Sequence, residues 1–308
     1  MLIEQSRVAA TLDSLVASHR RLEIQSINEP AELKEKIVTS LNQVLDDRKR
    51  IIQAGGEEDI RNHEISTVMS SRLSALAAKG TMLTKQLKII QSLCFPTILQ
   101  REEYVKEAHP ATFDWLFENS QGLTHSGIET TILDWLRSGN GIYWISGKAG
   151  PGKSTLMKFF YNHKKTLRAL EAWAEAAGKQ LLNASFFFWN AGTYMQKSQQ
   201  GLLQTLLYNI LRLAPALIPS VCASHWQDSE QTELPWTRRG LLEAFDNLRA
   251  QRMGARFCFF IDGLDEYDGD HTEVIEIMNI LTSSDAIKIC FSSRPWVVLR
   301  KPTGSILD

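Results

Sequence analysis

Four short, almost continuous apolar runs constrain the fold of this chain more than any other feature. They occupy residues 141–146, 184–189, 257–261 and 287–291. Each is short for a helix, and a run apolar on both faces suits a strand covered on both sides. Between them lie stretches with apolar residues at three- and four-residue steps, the mark of amphipathic helices. One follows a glycine-rich segment and runs to about Arg168. Another spans 198–213, with Leu202, Leu203, Leu206, Leu207, Ile210 and Leu211 on one face. Two more cover 239–249 and 272–281. Strands alternating with helices predict an α/β fold: a mostly parallel sheet with flanking helices, preceded by a helical N-terminal region.

The first run enters Gly147-Lys148-Ala149-Gly150-Pro151-Gly152-Lys153-Ser154, which fits GxxxxGK[ST] at every fixed position. Glycines there let backbone N–H groups turn inward and cradle phosphates, and the start of the next helix favours an anion. Lys153 would reach the β and γ phosphates. The Ser154 hydroxyl would ligate Mg²⁺, and Thr155 could contact the α-phosphate. The third run ends in Asp262, which places a carboxylate at the edge of the sheet where open α/β folds bind ligands. Asp262 would hold Mg²⁺ directly or through water. Asp265 or Glu266, on the next turn of chain, would polarise an attacking water as general base. The fourth run ends in Ser292-Ser293-Arg294-Pro295, and Arg294 is the candidate to sense the γ-phosphate, because a guanidinium matches phosphate oxygens bidentately. ATP or GTP with Mg²⁺ is therefore the expected ligand. No Asn-Lys-x-Asp string for reading guanine is present, which leans toward ATP.

Residues 1–95 read differently. Leu33, Ile37, Leu41, Val44, Leu45, Ile51 and Ile52 form one helical stripe, with Pro30 before it and Gly55-Gly56 after it. A second stripe runs from Ile60 to Leu76 and is expected to be interrupted at Gly80. A third holds Leu83, Leu87, Ile90 and Leu93. Together they predict a helical hairpin or small bundle. The heptads are not sustained enough for a long coiled coil, although a surface for a protein partner or self-association fits the same stripes. Cys94-Phe95-Pro96-Thr97 breaks the pattern, since the residue before proline disfavours helix. The expected domains are thus 1–95 and 96–308.

Charge narrows the functions. The chain has 34 Lys plus Arg against 35 Asp plus Glu, and residues 1–110 carry 15 of each. No basic arm is available for nucleic acid. The four cysteines, Cys94, Cys222, Cys258 and Cys290, are far apart and suggest neither a zinc site nor a disulfide framework. The start lacks the shape of a signal peptide, and no apolar run approaches the ~20 residues of a membrane helix. A soluble, cytoplasmic protein is the expectation. Phe186, Phe187, Phe188 and Trp189 read as sheet core, and Trp226 and Trp236 as covering a helix face. The segment 109–115 reads as a helix start on the sheet or as one wall of a base pocket.

The run 147–154, the string Asp262-Gly263-Leu264-Asp265-Glu266 and Ser292-Ser293-Arg294-Pro295 together resemble a NACHT domain, one of the STAND-class phosphate-loop NTPases. Residues 108–115, 185–189 and 192–203 narrow the resemblance to the NACHT proteins of filamentous fungi with nephrocystin-like N-terminal domains. It covers about 90–297. The resemblance implies a signal-transduction NTPase that alternates between a closed nucleotide-bound state and an open oligomerising one, associated in fungi with non-self recognition and cell death. It implies Lys153 and Ser154 on phosphate and Mg²⁺, Asp262 as the Mg²⁺ carboxylate, Asp265 or Glu266 assisting hydrolysis, and Arg294 as sensor. The family continues with a lid and a winged helix, and only 14 residues follow Arg294. Weak or absent hydrolysis is therefore expected. The competing expectation is a non-catalytic interaction protein that uses its N-terminal helices and retains the NTPase half as a folded remnant.

Overall fold

A computed structural model describes residues 59–108, 113, 117, 132–148, 152–228, 235–250 and 254–295. The chain divides into two compact units, Met1–Ile89 and Ile90–Asp308. The described part of the first unit is one helix, α1 (Asp59–Leu93), whose last turn belongs to the second unit. The stripe at 33–52 lies outside the described residues. The expected interruption at Gly80 is absent, since α1 runs through it and Thr84 Oγ1 donates to Gly80 O at 3.0 Å. A glycine inside a helix costs about 1 kcal/mol, too little to break a long helix.

The second unit continues with α2 (Gln100–Tyr104), α3 (Ile132–Arg137), β1 (Gly141–Ser146), α4 (Lys153–Asn162), α5 (Lys164–Glu175) and β2 (Gln180–Phe187). It then runs through α6 (Tyr194–Lys197), α7 (Gln199–Leu213), a 3₁₀ turn at Pro215–Leu217, α8 (Ile218–Val221) and α9 (Ala223–Asp228). The last elements are α10 (Arg238–Ala250), β3 (Ala255–Asp262), α11 (His271–Thr282) and β4 (Ile287–Ser293). The four strands form one wholly parallel sheet in the order β1-β4-β3-β2. The protein is an α/β fold with helices on both faces, as the alternating pattern requires.

Strand alternation sorts the core. Tyr143, Cys258, Phe260 and Cys290 face Trp135, Leu136, Met157, Phe160, Leu170 and Trp173 of α3, α4 and α5. Phe259 turns to the other side and meets Phe245 of α10 edge-on at 6.0 Å. The third strand buries Phe257, Phe259 and Phe260 almost completely, each favouring the folded state by roughly 1.5–3 kcal/mol. Helix α7 is buried all round from Gly201 to Leu211. Its N-cap is Ser198, whose Oγ accepts from Gly201 N at 3.1 Å. Among the described residues no single helix is long and apolar enough to cross a membrane.

Several boundaries differ from expectation. The helix after the glycine segment does not run unbroken to Arg168. It stops at Asn162, and His163 caps a new helix to Glu175, its Nδ1 accepting from Lys165 N at 3.2 Å. The second strand begins at Gln180, earlier than its most apolar part, because Gln180–Leu182 pair with Ala255–Phe257. Phe188 is buried beyond the strand end, while Trp189 is half-buried at the rim. Trp236 is buried, stacks on His225 at 3.7 Å, and donates Nε1 to Ser92 Oγ at 2.9 Å.

Candidate functional site

The described candidate residues sit at the C-terminal edge of the sheet or just beyond it. β1 delivers Gly147, whose N–H donates to Ser293 O of β4 at 3.3 Å. At the far end of the loop Gly152 has φ 141°, a backbone shape that L side chains rarely adopt. Its carbonyl already accepts from Leu156 N at 2.7 Å, so the loop closes straight into α4. The start of α4 has no side-chain cap and no acid in its first turn, which leaves its N–H groups and dipole free to attract an anion. Lys153 bends back over the loop, Nζ donating to Gly147 O at 2.8 Å and Lys148 O at 2.7 Å. A Cβ on Gly147 would lie 3.4 Å from Lys153 Cδ, so the loop backbone runs against the lysine stem. Ala149, Gly150 and Pro151 lie outside the described residues. Thr155 is half-buried in the first turn of α4.

Asp262 ends β3 and is 1% exposed. Ser292 Oγ donates to its Oδ1 at 2.6 Å, and the Ser154 hydroxyl lies near the same carboxylate. Burial pushes the Asp262 carboxyl above its usual value, and these two hydroxyls pull it back in part. The structure thus brings the loop serine near the strand aspartate, although β4 separates their strands. Parallel register accounts for the meeting. Ser146 pairs with Ser293 and Ile261 with Phe291, so three strand ends finish level.

Gly263 then turns the chain with φ 69°, its N–H donating to Ser292 Oγ at 3.0 Å. The turn brings Asp265 to Arg294. Asp265 Oδ1 accepts from Arg294 N at 3.0 Å, and Oδ2 meets Arg294 Nε at 2.9 Å. Asp265 is 8% exposed there and Arg294 58%, so the guanidinium lies at the surface end of the pair. Glu266 turns toward β2 instead, its Oε2 accepting from Asn190 N at 2.8 Å. A buried carboxylate and a hydroxyl are the hard oxygen donors that Mg²⁺ prefers, and Mg²⁺ normally keeps several waters. Among the described residues no cluster of three or more His, Cys, Asp or Glu offers a fuller cage. The donor set therefore fits a Mg²⁺ ion shared with a phosphate ligand.

Residues 111–294 match the family model described as nephrocystin 3, N-terminal. The chain belongs to the nephrocystin 3 N-terminal family. No curated protein and no solved structure matches the chain. The nephrocystin-type segment ends at Arg294 and encloses all three motifs, from the glycine loop to the end of β4.

Within this nephrocystin-type domain, sequence reasoning passed over two residues. Ser292 is the contact from β4 to Asp262, yet the motif was read for its arginine. Asn190 holds Glu266 through a backbone N–H, which no side-chain pattern advertises. Of the aromatic segment at 109–115 only Phe113 is described. It packs on Phe159 of α4 with ring centroids 5.5 Å apart, behind the loop. Trp189 and Tyr104 line an open cleft of about 460 Å³ beside the end of β2.

Proposed function

We propose that this chain is a nucleotide-binding signal-transduction switch of NACHT type, taking ATP with Mg²⁺. One observation carries the reading: Ser154, at the start of the helix after the glycine loop, lies close enough to Asp262, at the end of β3, for its hydroxyl to favour the ionised carboxylate. That pairing is what a Mg²⁺-phosphate site needs from the protein. Mg²⁺, when bound, would neutralise phosphate charge, held by Ser154 and Asp262. Lys153 exchanges the carbonyls of Gly147 and Lys148 for phosphate oxygens, and the start of α4 supplies N–H groups to the same anion. Ser292 keeps the Asp262 carboxylate aimed and favours its ionised form.

Hydrolysis in this reading is weak or absent. Asp265 is clasped by Arg294 through two contacts. Glu266 is held toward β2 by the Asn190 N–H at one of its two carboxylate oxygens. The resemblance to fungal NACHT proteins of non-self recognition supports the role of a switch rather than a metabolic enzyme, with residues 1–95 as the signalling or partner-binding part. Titration calorimetry of the full chain with Mg·ATP tests the assignment. Binding is expected for the wild type and should be lost in Lys153→Ala; equal affinity in both would refute it. Millimolar Mg·ATP should also raise the melting temperature, because a ligand at a hundred times its Kd adds about 2.7 kcal/mol.

A further inference from the structure

The strongest unexplained group near this site is Arg101 of α2, outside the segment 111–294 that defines the family. It is half-buried, and its Nε is fully buried without a hydrogen-bond partner. Among the described residues it forms no ion pair. Burying an unmatched guanidinium donor is costly, so an arginine held this way calls for an anion. Its acidic neighbour does not serve, because Glu102 Oε2 is taken by Ser185 Oγ at 2.9 Å. The nearby Glu266 is taken by Asn190.

The placement of Arg101 is built in. Lys158 of α4 donates Nζ to Glu102 O at 3.0 Å and Val105 O at 2.9 Å, which ties α2 to the helix that begins with Lys153. Ser185 ties it to β2, and Gln196 Nε2 reaches Thr97 O at 3.5 Å and Gln100 Oε1 at 3.4 Å. The guanidinium carbon then stands 5.4 Å from the centre of the Trp189 ring. Trp189 lies between two anchors to the site: Phe188 N donates to Asp262 O at 3.0 Å, and Asn190 N to Glu266.

We infer that Arg101 is a further phosphate-binding residue, contacting the terminal phosphate of a nucleoside triphosphate from the β2 side, opposite Lys153. The inference rests on the nucleotide reading above and deepens it. Trp189 supplies a flat cation–π seat that holds the planar guanidinium without neutralising it. A diphosphate would not reach Arg101, so this residue makes the site tell triphosphate from diphosphate.

The test measures the affinity of the full chain for Mg·ADP and for a non-hydrolysable Mg·ATP analogue, in the wild type, Arg101→Gln and Arg101→Lys. Melting temperatures without nucleotide are recorded beside them. Arg101→Gln should weaken triphosphate binding about tenfold or more, the range for a lost charged hydrogen bond, and leave diphosphate affinity within about twofold. Arg101→Lys should fall between, keeping the charge and losing the fork. The melting temperature should stay unchanged. Equal weakening of both nucleotides with a lowered melting temperature would make Arg101 a structural cover for Trp189 and overturn the inference. An unchanged triphosphate preference in a variant that binds both would overturn it as well. A wild type that binds neither nucleotide would overturn the nucleotide reading itself, and this inference with it.

Discussion

Lys288 offers a quantitative check on how the sheet holds its site. It lies in β4, 0% exposed, on the face covered by α3 and α5. Its Nζ donates to Trp135 O at 2.7 Å and Leu136 O at 2.9 Å, the last carbonyls of α3. The rings of Trp173 and Trp135 lie 4.1 and 5.4 Å away. The ammonium thus caps the helix that leads through Gly139 and Asn140 into β1 and the glycine loop. Burial, eased by the nearby Cys258 thiol, pulls its pKa down from 10.5 to about 8. The folded state therefore holds its proton less tightly than the unfolded chain. Stability from this residue must rise with pH between about 8 and 10.5. At 1.36 kcal/mol per unit the whole effect is at most about 3 kcal/mol, of which about 1 kcal/mol falls between pH 7 and pH 9. Lys288→Met keeps the apolar length and removes the proton. Urea unfolding followed by tryptophan fluorescence, at pH 7 and pH 9, should show the wild type gaining about 1 kcal/mol relative to the variant. A pH dependence identical in both proteins would refute the argument.

Three further outcomes follow from the same packing. A Cβ on Gly201 would run into the Met195 carbonyl, so Gly201→Ala should cost about 1–3 kcal/mol, read as a lower urea midpoint. Burial pushes the thiols of Cys222 and Cys258 up to about 12 and that of Cys290 well above its usual 9.0; mass spectrometry after brief alkylation at pH 7 should find all three unmodified until the chain is unfolded. Asp262→Asn should abolish any Mg²⁺-dependent rise in melting temperature given by ATP, while leaving the fold intact; a rise of wild-type size would exclude Asp262 as the metal carboxylate.

The sheet was legible because its evidence is redundant: four apolar runs, each separated by a helical period, and two of them ending in the residues that chemistry requires. Type and spacing name Lys153, Ser154 and Asp262, and the fold puts the first two at the start of α4, after β1, and the third at the end of β3. Ser292 could not, because its role depends on register. Two consecutive serines end β4, and only the pairing of Ile261 with Phe291 selects the one that meets Asp262. Charge pointed to Arg294, and in the fold its guanidinium pairs with Asp265. The stop at His163 was hidden because Met157, Phe160 and Ala169 continue a helical pattern across it, while the break is made by one imidazole nitrogen. The five residues of α2 are too few to show a period, so Arg101 came to notice only through what surrounds it.

The site groups also share a property that bears on switching. Lys153 rests on the carbonyls of its own loop, Glu266 on the Asn190 N–H, and Asp265 on Arg294. Each contact satisfies a group that nucleotide chemistry would use. In the proposed reading, binding exchanges these internal partners for ligand oxygens and adds few bonds to the total. The net gain per exchanged hydrogen bond is then small, near the ~1 kcal/mol typical when one partner replaces another. A ligand shifts a conformational equilibrium only by its difference in affinity for the two states. Groups that stay satisfied in both states keep that difference to a few kcal/mol, which a nucleotide can tip. Among these described groups, the buried Nε of Arg101 has no hydrogen-bond partner, so its contact would be a gain without a matching loss. The largest share of the difference between triphosphate and diphosphate should therefore lie at Arg101, not at Lys153, which meets phosphate in both.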